Sequence, residues 1–212
     1  MTNQDSPRLA KQRELVAKES DAIAKRRATE HFFNDLEEMI VQRLHHETIT
    51  DEGREELVRS TGVADPKLVD ELVKLGITAD GLIALRLFPL VLVAWAEDGA
   101  DVGERSKVMA EAGQLGIEEG STAWVLLDTW LRKQPPGLGV DAWKRYTHGI
   151  FSRMTVTSIE RLIKLTEKQM TSVAKASGGH LGFGKVCKKE RIMIDKLLRE
   201  MRQAAMLPRR SH

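Results

Sequence analysis

Apolar and polar residues alternate with helical spacing along most of the chain. The segment from Arg8 to Leu44 contains no Gly or Pro, and its second half has apolar residues at the i, i+3 and i+4 positions of a helix. These residues are Phe32, Phe33, Leu36, Met39, Ile40 and Leu44. The pattern predicts one long helix or two in line. Its first half is rich in charge, so it is either a solvated helix, a projecting arm or a segment that pairs with another chain.

Shorter amphipathic segments follow, and some of them are bounded by capping residues. Helices are predicted at 51–60 and at 66–75, the second with Asp65 as N-cap and Pro66 at its first position. The segment from Leu82 to Trp95 is apolar on most faces, which predicts a central helix bent at Pro89. Further helices are expected at 101–115, from about 117 to 130, at 141–154, at 158–176 and at 188–205. The segment 134–139, with two Pro and two Gly, is predicted to interrupt them.

The composition agrees with a helical protein. Aromatic residues make up only 5% of the 212 residues, and Leu, Ala, Val, Ile and Met dominate the apolar 42%. We therefore predict an all-α fold, a compact multi-helix bundle with an internal helix-turn-helix repeat. The predicted organisation is an N-terminal helical extension at 1–50, a helical domain at 51–207 and a disordered basic tail at 208–212.

Several features favour a cytoplasmic protein. Cys187 is the only cysteine, so no internal disulfide is possible. The first residues are polar, unlike a signal peptide. The most apolar run, 82–96, is 15 residues long and contains Arg86, whereas a bilayer span needs about 20 apolar residues.

Charge is distributed unevenly along the chain, although the net charge is only +2. Residues 51–128 carry 7 basic and 16 acidic side chains, whereas residues 129–212 carry 18 and 6. This asymmetry either attracts the two halves to each other or steers charged partners.

Two segments of the sequence look alike. Residues 93–99 and 173–179 each end a predicted helix in small residues and Gly, and each is followed by a helix that opens with Glu-Arg, at Glu104 and Glu190. The Gly is expected where a positive φ ends the helix. Asp101 and Glu104 have the spacing of N-cap and N3 in a capping box.

This repeat resembles the TerB-like family, helical domains related to the tellurite-resistance protein TerB. The family hallmark is an Ala-rich helix, an Ala-x-Asp-Gly turn and a Glu-started helix, and residues 96–104 match it, while the second copy matches in outline. The resemblance covers about residues 78–205. It implies a non-enzymatic, stress-related protein that acts in protein complexes, with peripheral membrane association as a further possibility.

The resemblance also implies a divalent metal site at the acidic turn. The candidate ligands are Asp98, Asp101 and Glu104, together with Glu97 and Glu190. Carboxylates suit hard cations such as Ca²⁺ or Mg²⁺. However, the second copy has Gly178 in place of the Asp, and capping explains Asp101 and Glu104 without a ligand. Both interpretations stay open at this stage.

The glycine-rich loop before the last helix is the candidate partner-binding segment. It contains Gly179, His180 and Phe183 and is followed by Lys185. The spacing resembles part of a phosphate-binding loop, but Val186 replaces the required Ser or Thr, and a helix precedes it where a strand is needed. A loop that admits a protein partner is therefore predicted.

The alternative function is a nucleic-acid-binding helical module. The last thirty residues carry nine basic side chains, although acidic residues interrupt them and no known nucleic-acid-binding motif is present. Catalysis is not expected, because no nucleophile has an identifiable base. Lysines near Cys187 are expected to lower the pKa of its thiol.

Overall fold

The computed structural model describes residues 49–62, 65–177 and 185–206, and every regular element in these ranges is an α-helix. All of them belong to a compact unit that spans residues 41–212. The all-α prediction is confirmed. The predicted helix at 8–44 and the tail at 208–212 lie outside the described residues.

Helix boundaries follow local capping signals. The described helices are α1 (Asp51–Thr61), α2 (Pro66–Lys74), α3 (Leu82–Arg86), α4 (Phe88–Ala94), α5 (Val102–Gln114), α6 (Thr122–Arg132), α7 (Leu138–Phe151), α8 (Val156–Ala174) and α9 (Lys188–Met206). Five of them begin after a side-chain oxygen that accepts a backbone N–H of the first turn. These N-caps are Thr50, Asp65, Asp101, Ser121 and Thr155.

The central apolar segment forms two short helices, where a single bent helix was predicted. Leu87 lies between α3 and α4 as the C-cap of one and the N-cap of the other, and Pro89 occupies the first turn of α4, where its missing N–H costs no hydrogen bond. The expected central position is confirmed: Leu87, Phe88 and Leu90 are fully buried, and α4 packs against α5, α6, α8 and α9.

Two other predicted helix starts were wrong. Helix α6 begins at Thr122, four residues after Glu118, because Gly120 has φ 81° and Ser121 then caps the helix. Helix α7 begins at Leu138, inside the segment predicted to interrupt helices. Gly139 is instead a site of close packing, since a Cβ atom there would lie 2.5 Å from Phe88 Cζ.

The remaining helices enclose α4. Helix α9 packs against both α7 and α8, and α2 packs against α7. Trp130 and Trp143 are buried, and the Trp130 ring meets Phe88 edge-on with 5.2 Å between centroids. This arrangement brings the α4–α5 hairpin against the pair formed by α8 and α9.

Candidate functional site at the paired turns

The turn between α4 and α5, called the first turn below, carries the predicted capping box. The Asp101 backbone N–H donates to Glu104 Oε2 at 2.9 Å, and the Glu104 backbone N–H donates to Asp101 Oδ1 at 2.8 Å. These two bonds satisfy two of the N–H groups that a helix start leaves unpaired. Asp101 and Glu104 therefore fix the start of α5, as the capping interpretation predicted.

The turn that leads into α9, called the second turn below, has the same pair of reciprocal backbone-to-side-chain bonds, with a cysteine as the N-cap. The Cys187 backbone N–H donates to Glu190 Oε2, and the Glu190 backbone N–H donates to Cys187 Sγ at 3.3 Å. Sequence reasoning missed this role because Cys is not among the usual N-caps. The available signal was spacing: Cys187 precedes Glu190 by three residues, as Asp101 precedes Glu104.

The two turns lie against each other. Lys189 Nζ is 2.9 Å from Asp98 Oδ2, and the Glu97 carboxylate is close enough to the Cys187 thiol to raise the pKa of that thiol. The start of α5 also touches the end of the α8 segment, because a Cβ atom on Gly103 would lie 2.2 Å from the Ala176 carbonyl oxygen. The repeat seen in the sequence is thus also a repeat in space.

All five predicted ligand residues lie at the two adjoining turns. Glu97 and Asp98 are exposed, Asp101 is half-buried, and Glu104 and Glu190 are 4% and 0% exposed. The cluster therefore runs from the surface to two buried carboxyl groups. Within the part of the chain that the structure describes, the buried oxygen Glu190 Oε1 has no hydrogen-bond partner.

Burial and neighbouring charge perturb Glu104. Burial raises the pKa of its carboxyl group to about 8, and the negative charges of Asp101, Glu190 and Glu97 act in the same direction. The hydrogen bond from the Asp101 backbone N–H acts to lower the pKa but does not compensate. Glu104 is consequently protonated over much of the neutral range.

The geometry of the described residues bears on the predicted metal site. Within residues 49–62, 65–177 and 185–206, no three His, Cys, Asp or Glu side chains are placed to hold a metal ion. Asp101, Glu104 and Glu190 each accept a backbone N–H, and Asp98 is paired with Lys189. Binding of Ca²⁺ or Mg²⁺ stays a prediction, whereas capping is observed.

Two finer expectations about these turns were wrong. The left-handed residue of the first turn is Asp98, with φ 74°, and Gly99 has no positive φ. Asp tolerates this conformation better than most residues with a side chain. Burial raises the pKa of the Cys187 thiol to about 11, where a lowered pKa was expected from nearby lysines, and the neighbouring carboxylates of Glu97 and Glu190 add to the rise.

The structure describes only part of the predicted partner-binding segment. Gly179, His180 and Phe183 lie outside the described residues, while Lys185 is exposed just before the Cys187 cap. No helix within the described part of the chain is long and apolar enough to cross a membrane.

Comparisons of the chain with protein-family models, with curated proteins and with solved structures found no match.

Proposed function

We propose that this chain is a non-enzymatic, TerB-like interaction domain that responds to a divalent cation at its paired turns. The observation that carries the proposal is the meeting of the two hairpins, each with a buried Glu at N3 that bonds back to its N-cap. This arrangement agrees with the internal repeat that the resemblance implies. The stress-related role and the protein partner follow from the resemblance alone.

The local charge supports a cation at this place. The negative charges of Asp101, Glu190 and Glu97 act on Glu104, and Asp98 pairs with Lys189 beside them. Glu97 and Asp98 are exposed, so a cation from solvent reaches these two first, followed by the half-buried Asp101. Hard cations take several oxygen ligands, and the unpartnered Glu190 Oε1 is a further oxygen at the buried end of the cluster.

The same geometry limits the affinity. A cation has to compete with the bonds that cap α5 and α9 and with the Lys189–Asp98 pair. Because these contacts are already formed without a metal, we expect a dissociation constant of about 1 mM, in the weak range of calcium modules. The cation then acts as a concentration-dependent stabiliser of the paired turns.

A melting experiment on the full chain tests the proposal. At 10 mM Ca²⁺ or Mg²⁺, a site with a dissociation constant of about 1 mM stabilises the folded state by about 1.4 kcal/mol. For a chain of this size, this raises the Tm by about 3–6 °C. Differential scanning calorimetry at several cation concentrations measures the rise.

Two variants separate a site from general screening of negative charge. Asp98→Asn keeps a residue that tolerates the positive φ but removes the charge, and we expect it to abolish most of the rise. Glu119→Gln removes an equal charge from an exposed position in another turn and should leave the rise intact. An unchanged Tm in the wild type, or equal rises in both variants, refutes the cation response.

A further inference from the structure

The last helix presents a basic face that the linear sequence does not reveal. Helix α9 contains six basic and three acidic residues, and along the sequence the acidic residues interrupt the basic ones. In the structure, Glu190 is fully buried in the second cap, and Glu200 is turned toward α7, where it lies 2.8 Å from Lys144 Nζ. Only Asp195 is left among the acidic residues on the exposed side of α9.

Five basic side chains share this exposed side. At 100° per residue they fall within about 140° of the helix circumference and extend over about 21 Å of its length. Among the described residues, none of the five forms an ion pair. They are Lys188, Arg191, Lys196, Arg199 and Arg202.

We propose that this outer face of α9 binds the phosphate backbone of double-stranded nucleic acid without reading its sequence. An elongated patch of cations matches a regularly charged backbone, since duplex DNA carries one negative charge per about 1.7 Å of axis. The face goes beyond the proposed function of the domain, because it shares no side chain with the acidic cluster and does not depend on a cation there.

The burial pattern favours a nucleic acid over an anionic membrane. An interfacial helix inserts its apolar side into lipid, but α9 uses that side for the core, with Ile194, Leu197, Leu198 and Met201 all buried. On the outer face, Ile192 and Met206 are the large apolar side chains that reach solvent, at 55% and 83% exposure, and they lie about 21 Å apart along the helix. Electrostatic attraction is therefore the main contribution that this face offers.

Salt dependence gives the proposal a measurable magnitude. Five phosphate contacts predict a slope of about −4.5 for log K against log salt concentration, which is about a 500-fold loss of affinity between 50 and 200 mM salt. Fluorescence anisotropy of a labelled 20-base-pair DNA duplex, titrated with the full chain at several salt concentrations, measures this slope. Duplexes of different sequence should give the same values.

Charge-reversal variants place the contacts on this face. Arg199→Glu with Arg202→Glu removes two contacts, so the slope should fall to about −2.7 and the salt-induced loss to about 40-fold. The matched control is Lys67→Glu with Lys74→Glu on α2, both exposed, which changes the net charge equally and should leave the slope unchanged. Asp195→Asn removes the acidic residue of the face and should tighten binding, a gain that misfolding cannot produce.

Three outcomes overturn the proposal. The first is the absence of measurable duplex binding at 50 mM salt. The second is an equal loss in the α9 and α2 double variants, which would show a response to net charge alone. The third is tighter binding to vesicles containing phosphatidylserine than to the duplex, which would identify an anionic lipid surface as the partner.

Discussion

Contact between the two hairpins can be tested with a single methyl group. Gly103 lies in the first turn of α5, and a Cβ atom there would be 2.2 Å from the Ala176 carbonyl oxygen. An ordinary carbon–oxygen contact is about 3.3 Å, so Gly103→Ala requires a shift of about 1 Å between α5 and the end of the α8 segment. The obstacle is backbone, which cannot move aside as a flexible side chain does.

The magnitude follows from two opposing effects. Overpacking a tight contact costs about 1–3 kcal/mol, and replacing Gly by Ala in a helix returns up to about 1 kcal/mol. We therefore expect Gly103→Ala to lower the free energy of unfolding by about 1–2 kcal/mol. Urea denaturation followed by circular dichroism at 222 nm measures this change.

The same helix supplies the control. Gly113 is near the end of α5, and a Cβ atom there meets nothing within 4 Å. Gly113→Ala should therefore raise the free energy of unfolding by about 0.4–1 kcal/mol, because it restricts the unfolded chain at no steric cost. If the two variants are equally stable, the approach of α5 to Ala176 is not the close contact described, and the pairing of the turns loses its support.

Two further predictions concern one buried and one partly buried polar group. The pKa of Glu104 is about 8 in the folded chain against an ordinary 4.5, so the folded state loses stability as pH rises from about 4.5 to 8, by about 1.4 kcal/mol per pH unit. In thermal melts from pH 5 to 8, the Tm of Glu104→Gln should lack this pH dependence, whereas the Tm of Glu111→Gln, on the same helix, should keep it. Parallel curves of Tm against pH for the wild type and Glu104→Gln would contradict the burial argument. Trp95→Phe removes the 2.8 Å hydrogen bond from the Trp95 indole N–H to the Trp130 carbonyl oxygen. It should lower the free energy of unfolding, measured in urea, by about 1–2 kcal/mol. An unchanged denaturation midpoint would show that solvent replaces this bond.

Local signals made part of this fold predictable. The caps at Asp65 and Asp101 and the left-handed Gly116 end or begin helices through bonds within a few residues, so the sequence near each boundary is sufficient. The all-α class follows from periodicity over longer segments. These features depend little on where the rest of the chain lies.

The wrong boundaries arose where packing or a second signal changed the outcome. The pattern predicts a helix that starts near Ile117, but Ile117 is a buried turn residue between the left-handed Gly116 and Gly120. The predicted interruption at 134–139 includes Gly139, whose missing side chain instead makes room for Phe88. Such a role needs the position of a distant residue, which local spacing does not contain.

The candidate site, like the helix boundaries, could be predicted from the sequence only in part. Spacing alone indicated the Asp101–Glu104 cap, but the convergence of Glu97 and Asp98 with Glu190 depends on how two hairpins pack. The basic face of α9 was also hidden, because only the fold shows that Glu190 and Glu200 point away from it.

The choice of cap in the second turn is consistent with the electrostatics of the cluster. Asp101 and Cys187 occupy equivalent positions and accept the same bond, but the carboxylate brings a negative charge, and the thiol, with its pKa raised to about 11, stays neutral. A second Asp at position 187 would add another carboxylate beside Glu104, whose pKa is already raised by burial and by three acidic neighbours. A neutral acceptor preserves the reciprocal cap without this repulsion. The repeat is therefore retained in its hydrogen bonds while its charge differs between the copies, which explains why the second copy matches the sequence pattern only in outline.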